Sequence, residues 1–359
     1  MNKMDLKNMQ AEDINQAVYK QIEKNWDNIA KPLDGLGRFE KLIARIGAIH
    51  GTTEIDIEKK AVIVMCADNG IVEEGVSQSG QETTTLIVRC LGKGQTSVGK
   101  MAAFVGADVI PVDVGVSSDE AFPGVQNRKI THGTGNFAKS PSMTEEQTLE
   151  AIQIGIEMVA QCKKEGYRLL ATGEVGIGNT TTSAAMAAAL TGCKVSEAAG
   201  RGAGLDDRGL ERKRQVIQDA LHHYELKKEE PLRILCTVGG LDIAGLTGVF
   251  LGGMLCHIPI VADGVISLVA ALTAERLVPG TKAYMIASHR SKEPAAEILT
   301  KELGLSPVID AGLALGEGTG AVMMLSLLDI ARTLYQSETT FQTMELAPYE
   351  RFSETEESR

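Results

Sequence analysis

Aromatic residues make up only 4% of this 359-residue chain, with a single Trp. No uninterrupted apolar run reaches the length of a membrane-crossing helix. The first residues, MNKMDLKNMQAEDINQ, lack the apolar middle of a secretory signal, so the expected compartment is the cytoplasm. Basic clusters are missing as well. With 47 acidic residues against 36 Lys and Arg, a net charge of -11, the chain is not built for nucleic acid or an anionic membrane, although a basic pocket inside it stays open. Six cysteines (Cys66, Cys90, Cys162, Cys193, Cys236, Cys256) lie far apart with no CxxC, which argues against zinc and disulfides and for reduced core thiols. The six histidines never reach metal-ligand spacing, and neither GxSxG nor a nucleophilic cysteine pattern occurs. No metal and no cofactor are therefore expected.

What the chain has is 38 glycines and short aliphatic runs. AVIVMCAD (61–68), ADVIPVDVG (107–115), YRLLATGE (167–174), LRILCTVGG (232–240), IPIVADG (258–264) and KAYMIASH (282–289) each close on a small or polar residue. Helical stretches such as 144–164 and 207–224 separate them. Strands apolar on both faces, alternating with helices, predict an α/β protein with a doubly wound, Rossmann-like parallel sheet covered on both sides. Ligands of such sheets bind beyond the carboxyl ends of the strands, where every acid or glycine cluster falls. The polar, helical N-terminal part and the helices expected after residue 320 predict a smaller helical domain built from both chain ends, 1–58 plus 321–359, beside a large domain over 59–320. The tail SETEESR reads as frayed.

Three glycine settings carry candidate chemistry. In ATGEVGIGNTTTSAAMAAAL (171–190) a strand ends at Gly173, a glycine-broken loop follows, and Asn179 or Thr180 is placed to cap a helix. N–H groups at a helix start, with glycines that admit a ligand, suit an anion, and three consecutive threonines favour phosphate. The spacing is neither GxGxxG nor GxxxxGK[ST], which weakens a dinucleotide or triphosphate reading. In AAGRGAGLDD (198–207) the next helix carries Lys213, either a solvated surface lysine or a second charge for the same anion. In LALGEGTGAVMMLS (313–326) Glu317 lies between two glycines. Two roles fit it locally: an acid favoured by the dipole of the following helix, or a partly desolvated general base beside Leu313 and Leu315. Asp242 and Asp263 follow apolar runs and suit ribose hydroxyls or helix caps. The polar loop 67–88 leads to a helix starting near Glu82 and suits a substrate pocket.

Taken together, GEVGIGNTTTSAA, GRGAGLDDRGLERK, VADGVISLVAALTA, SHRSKEP and LALGEGTGA, in this order, resemble the nicotinate-nucleotide:dimethylbenzimidazole phosphoribosyltransferase family over nearly the whole chain. ADNG with GVS, and VDVGV, add to the resemblance. It implies transfer of the phosphoribosyl group of nicotinate mononucleotide to a ring nitrogen of 5,6-dimethylbenzimidazole, with inversion, during cobalamin assembly. It also implies a homodimer. By the same resemblance Glu317 is the general base, and Glu174 is placed to stabilise positive charge on the ribose. Gly176, Gly178, Asn179, Thr180, Gly202 and Lys213 cradle the phosphate. Asp242, Asp263 and Ser291 lie around the nucleotide, and Ser79, Gln81, Val175 and Leu315 around the base. A donor with one phosphate does not require the double-acid, magnesium-chelating stretch of pyrophosphate-dependent transferases, and none occurs here. The resemblance departs at KPLDGLG, where Leu33, Asp34 and Gly35 replace the family's usual tripeptide, and at Leu86, where many members carry glutamine. Both regions belong with the aromatic base, so the acceptor stays open between a benzimidazole, a purine and a phenol. A non-catalytic nucleotide binder would need neither Glu174 nor Glu317, and an NAD-dependent oxidoreductase would need GxGxxG where MCADNG stands.

Overall fold

The structure is a computed structural model that describes residues 1–351; the tail SETEESR lies outside the described residues. Its six strands are β1 (Lys60–Ala67), β2 (Asp108–Gly115), β3 (Gln126–Asn127), β4 (Leu169–Val175), β5 (Ile260–Ala262) and β6 (Met285–Ala287). All neighbours are parallel, in the order β3-β2-β1-β4-β5-β6. β1 and β4 sit at the centre and are buried along their full length, which is why both read as unbroken aliphatic runs. Strand order reverses between these two, which are paired up to Cys66 and Val175, and it is beyond the carboxyl ends at such a switch point that sheets of this kind bind ligands.

The helices in chain order are α1 (Lys3–Asn8), α2 (Gln16–Asn28), α3 (Arg38–His50), α4 (Glu82–Leu91), α5 (Ser97–Phe104), α6 (Glu145–Lys164) and α7 (Asn179–Thr191). They continue with α8 (Val195–Ala198), α9 (Asp207–Tyr224), α10 (Pro231–Val238), α11 (Leu241–Cys256), α12 (Val265–Leu277), α13 (Ala295–Leu303) and α14 (Thr319–Tyr335). α11 is buried continuously from Leu241 to Met254, and its apolar surface all round marks it as the central helix of the large unit. α6 packs against it at a glycine crossing: a Cβ on Gly155 would lie 2.0 Å from Gly245 O, and one on Gly248 2.0 Å from Ile152 O.

Three expectations are corrected. The run 232–240 is not a strand: residues 231–238 form helix α10, with Pro231 at its start and only Arg233 and Cys236, three apart, facing outward among the middle residues. Its apolar density imitates a buried strand, but its exposure follows a helical period. The sheet takes β3 instead, a two-residue edge strand too short to leave a sequence pattern. After residue 320, α14 is the one helix among the described residues, and Phe341–Glu345 form a turn. Of the six cysteines, all free, Cys66 and Cys162 are buried and the other four are half-exposed.

The chain divides into two compact units, Met1–Glu12 with Ile57–Leu325, and Asp13–Asp56 with the chain from Ser326 onward. Residues 1–12 thus group with the sheet rather than with the helical unit, and the Tyr284 hydroxyl donates to Glu12 O at 2.9 Å to hold them there. In the helical unit α2 and α3 pack together, Trp26 lies against Tyr335 at 5.1 Å between ring centroids, and Asn25 donates to the Tyr335 hydroxyl. Asp34, in the left-handed region at φ 54°, accepts a forked pair of hydrogen bonds from Arg351, which holds its carboxyl below the usual range.

Candidate active site

The candidate site at that switch point is built on the loop that leaves β4. Glu174 and Val175 end the strand, both buried, and Gly178 (φ 97°) turns the chain into α7. Gly178, not Asn179 or Thr180, occupies the cap position, without a side-chain bond. The glycines here answer to the chain's own packing: a Cβ on Gly176 would meet Ala67 O at 2.4 Å, and one on Gly178 the Val72 side chain at 2.7 Å. Open space for a ligand is therefore not what selects glycine at these two positions.

Asn179, placed with the phosphate by the resemblance, turns its side chain inward. Its Nδ2 donates to Glu174 Oε2 and, at 3.0 Å, to Asp242 Oδ2. One amide thus ties together two buried acids. Asp242 also accepts from the N–H of Ile243, yet burial pushes its carboxyl up to about 6. For Glu174, burial first and then the Asp242 charge push the carboxyl well above its usual range. Beside them Asn69 is fully buried, and neither atom of its amide has a hydrogen-bond partner in the structure, although it lies against Gly176, Gly178 and Gly240. A buried amide in that state calls for a partner. Asn69 was not among the sequence candidates; the signal available was its place directly after the acid that ends β1.

Glu317 arrives from the far end of the chain on a turn of three left-handed residues, Gly316 (φ 85°), Glu317 (φ 62°) and Gly318 (φ 97°). A non-glycine residue in that region is strained, and the surroundings must hold it. Asp263 does so: its carboxylate, at the end of β5, accepts from the N–H of Gly318 at 3.3 Å and of Ala321 at 2.9 Å. Asp263 therefore caps α14 rather than the helix that follows it, and His289 Nδ1 lies 3.9 Å from it. Gly173 lets the turn pack down, since a Cβ there would sit 2.3 Å from Glu317 O.

The Glu317 carboxylate points at the first turn of α5, where Oε2 accepts from the N–H of Val98 at 3.2 Å, 219 residues away in sequence. The helix dipole acting on Glu317 is thus that of α5. Burial pushes its carboxyl up while the Val98 and Ser97 N–H groups pull it down, and burial wins. The result is a half-buried acid of raised basicity with its orientation fixed. Glu174 stands next to it, its Oε1 3.1 Å from the Cβ position of Gly316.

A second polar cluster lies at the open end of α7. Lys213, on α9, is fully buried and donates to Thr180 Oγ1 at 2.9 Å, so the solvated reading of this lysine fails. Burial pushes its ammonium down to about 8, against an opposing pull from Glu293. Thr180 Oγ1 lies 2.7 Å from the Cβ position of Gly202 (φ 53°), whose N–H donates to Glu293 Oε1 at 3.0 Å. Ser291 Oγ accepts from the Glu293 N–H at 3.4 Å and stands 3.7 Å from the Cβ position of Gly264. Thr180, Gly202, Lys213 and Ser291 thus gather with a residue the sequence did not single out, Glu293.

The first turn of α4 reaches the β4–α7 loop: Thr84 Oγ1 accepts from the Ile177 N–H at 3.1 Å. Ser79 and Gln81 lie in the loop before α4, half-buried, with Gln81 at the cap position of the helix. Leu315 is 57% exposed and Leu86 53%, large apolar side chains left in solvent.

This arrangement has close relatives. A family model described as "Phosphoribosyltransferase" matches residues 11–345. A nicotinate-nucleotide--dimethylbenzimidazole phosphoribosyltransferase of Clostridium acetobutylicum is 42% identical over 332 residues, covering 92% of this chain and 94% of its own. The chain belongs to the nicotinate-nucleotide:dimethylbenzimidazole phosphoribosyltransferase family. A family member of Clostridium perfringens is 43% identical over 88% of both chains. A crystal structure of CobT from Thermus thermophilus superposes with a TM-score of 0.88 at 37% identity, covering 92% of this chain and 99% of the other. Family membership accounts for the order of the five motifs, and the α/β sheet is a fold shared with that solved relative.

Proposed function

We propose that the protein transfers the phosphoribosyl group of nicotinate mononucleotide to 5,6-dimethylbenzimidazole with inversion, giving α-ribazole 5′-phosphate and nicotinate, and that Glu317 is its general base. The observation that carries this reading is the Glu317 carboxylate itself: raised by burial, aimed by the α5 N–H groups and set on a rigid, strained turn beside Glu174. An acceptor nitrogen must shed its proton as the bond to C1′ forms, and a carboxylate of raised basicity takes it. The pyridinium of the donor leaves as neutral nicotinate ring nitrogen and needs no acid.

Glu174 serves the other partner. Buried next to Asp242, it is held toward its protonated form, and a cationic ribose beside it favours the ionised form. In its ionised form Glu174 stabilises the positive charge that develops on the ribose. The phosphate is assigned to the Thr180 hydroxyl, Lys213, the Gly202 N–H and Ser291, with first-turn N–H groups of α7 and the backbone of Gly176 and Gly178 adding donors. Ser79, Gln81, Val175 and Leu315 are assigned to the flat base, in line with the exposed apolar face of Leu315. The assignment extends to a cytoplasmic homodimer, which the family resemblance supports. No helix among the described residues is long and apolar enough to cross a membrane.

The test is direct. The protein is incubated with nicotinate mononucleotide and a panel of bases containing dimethylbenzimidazole, other benzimidazoles, adenine and phenol, and nicotinate release is followed by chromatography. Release with dimethylbenzimidazole above the other bases is expected; no release with any base refutes the reading. Leu86 and Asp34, the two family departures, are the reason for including the other bases.

A further inference from the structure

The cluster around Lys213 already contains an anion. Glu293, on the loop after β6, places Oε1 on the Gly202 N–H at 3.0 Å, and Oε2 lies 2.2 Å from where a Cβ of Gly200 would be. The absence of a side chain at Gly200 is what admits this carboxylate. The Gly202 N–H that it accepts from lies beside the Thr180 hydroxyl, which Lys213 Nζ holds, and the Glu293 charge acts on Lys213 without an ion pair within 4 Å. Glu293 is half-exposed on a loop, whereas Lys213 is fixed in the core.

We propose that Glu293 is an internal anion that occupies the phosphate cradle and is displaced by the 5′-phosphate of the mononucleotide, so that it sets how far a phosphorylated donor outbinds the same nucleoside without phosphate by weakening the phosphate's hold. The inference rests on the phosphate assignment made above. Carboxylate and phosphate oxygens accept the same N–H donor, and two anions cannot share it beside a single ammonium. While Glu293 is in place it keeps the 200–204 loop, with Gly202 and Gly204 both left-handed, in its binding shape. A phosphate dianion carries more charge than the carboxylate, so it wins the donors, and the Glu293 side chain swings toward solvent. A nucleoside without phosphate leaves Glu293 where it is.

The apparent affinity for phosphate is then reduced by the fraction of molecules in which Glu293 holds the cradle. Glu293→Gln keeps the shape and an acceptor oxygen but removes the charge. Inorganic phosphate binding by calorimetry and the KM for nicotinate mononucleotide are measured on the wild type, Glu293→Gln and Lys213→Ala. In Glu293→Gln both constants are expected to fall roughly threefold to thirtyfold, while the KM for the nucleoside lacking phosphate does not move. A residue that only braces the loop gives unchanged or weaker phosphate binding in the Gln variant, and that result overturns the proposal. Glu293→Ala is read by the same criterion if the Gln variant does not fold. Undiminished phosphate binding in Lys213→Ala removes the cradle assignment itself; weakened binding there without a gain in Glu293→Gln removes the gate alone.

Discussion

Glu174 and Glu317 are the same residue type a few ångströms apart, and their surroundings give them different work. Glu174 ends a central strand, is 8% exposed, and has a second buried acid, Asp242, behind one shared amide. Glu317 sits on a strained turn, half open, with backbone donors from α5 on one oxygen. Both are raised by burial and each has an opposing hydrogen bond, from Asn179 to Glu174 and from the α5 N–H groups to Glu317; the neighbouring Asp242 charge adds to the rise at Glu174, while Glu317 stays reachable. A pair of acids whose environments push them apart is how one site obtains both a base and an electrostatic partner.

The comparison can be broken by amide substitution. Glu317→Gln removes the carboxylate proposed above as proton acceptor and is expected to lower kcat roughly 10²- to 10⁴-fold, read as nicotinate release at saturating substrates. Glu174→Gln, which removes a charge that burial and Asp242 already disfavour, is expected to cost less, on the order of tenfold to a hundredfold. Equal losses in the two variants would erase the division of roles. Lys213 is the cationic counterpart, moved by burial in the opposite sense. Lys213→Ala is expected to raise the mononucleotide KM about tenfold to a hundredfold, with a smaller change in kcat. In the wild type the ammonium is lost as pH rises through about 8, so this KM should climb above that pH and stay level in the Ala variant.

The smallest effect concerns stability. Asp242 has a folded pKa of about 6, above its unfolded value, so the folded state holds the extra proton. The stability it contributes is complete below about pH 4 and is lost as pH rises through about 6. Thermal melts of the wild type should therefore show a lower Tm at pH 7 than at pH 5, with a shallower decline in Asp242→Asn. An identical decline in both proteins would mean that Asp242 is not the group responsible.

Much of this was legible in the chain. The unbroken aliphatic runs announced β1, β2 and β4, because a strand covered on both faces has no polar side to show. Glycine settings announced the loops that hold Glu174 and Glu317, and Glu82 was placed correctly as the start of α4. Residues 232–240 misled, since a buried helix is as apolar as a buried strand, and Pro231 was the signal to weigh more heavily. Glycine at 176 and 178 was attributed to ligand approach, whereas Ala67 and Val72 require it.

What the sequence determined by itself was the kind of sheet and the placing of its acid and glycine clusters at strand ends, since periodicity and residue type are local properties. Tertiary structure decided which groups face one another. Glu317 looked like an acid at the start of its own helix and proved to rest on α5; Asp263 caps a helix more than fifty residues further on; Lys213 lies in the core on the Thr180 hydroxyl; Glu293 reaches the Gly202 N–H. Each of these pairings joins segments distant in the chain, and burial, which sets whether a carboxylate is a base or an ammonium is charged, exists only after they have met.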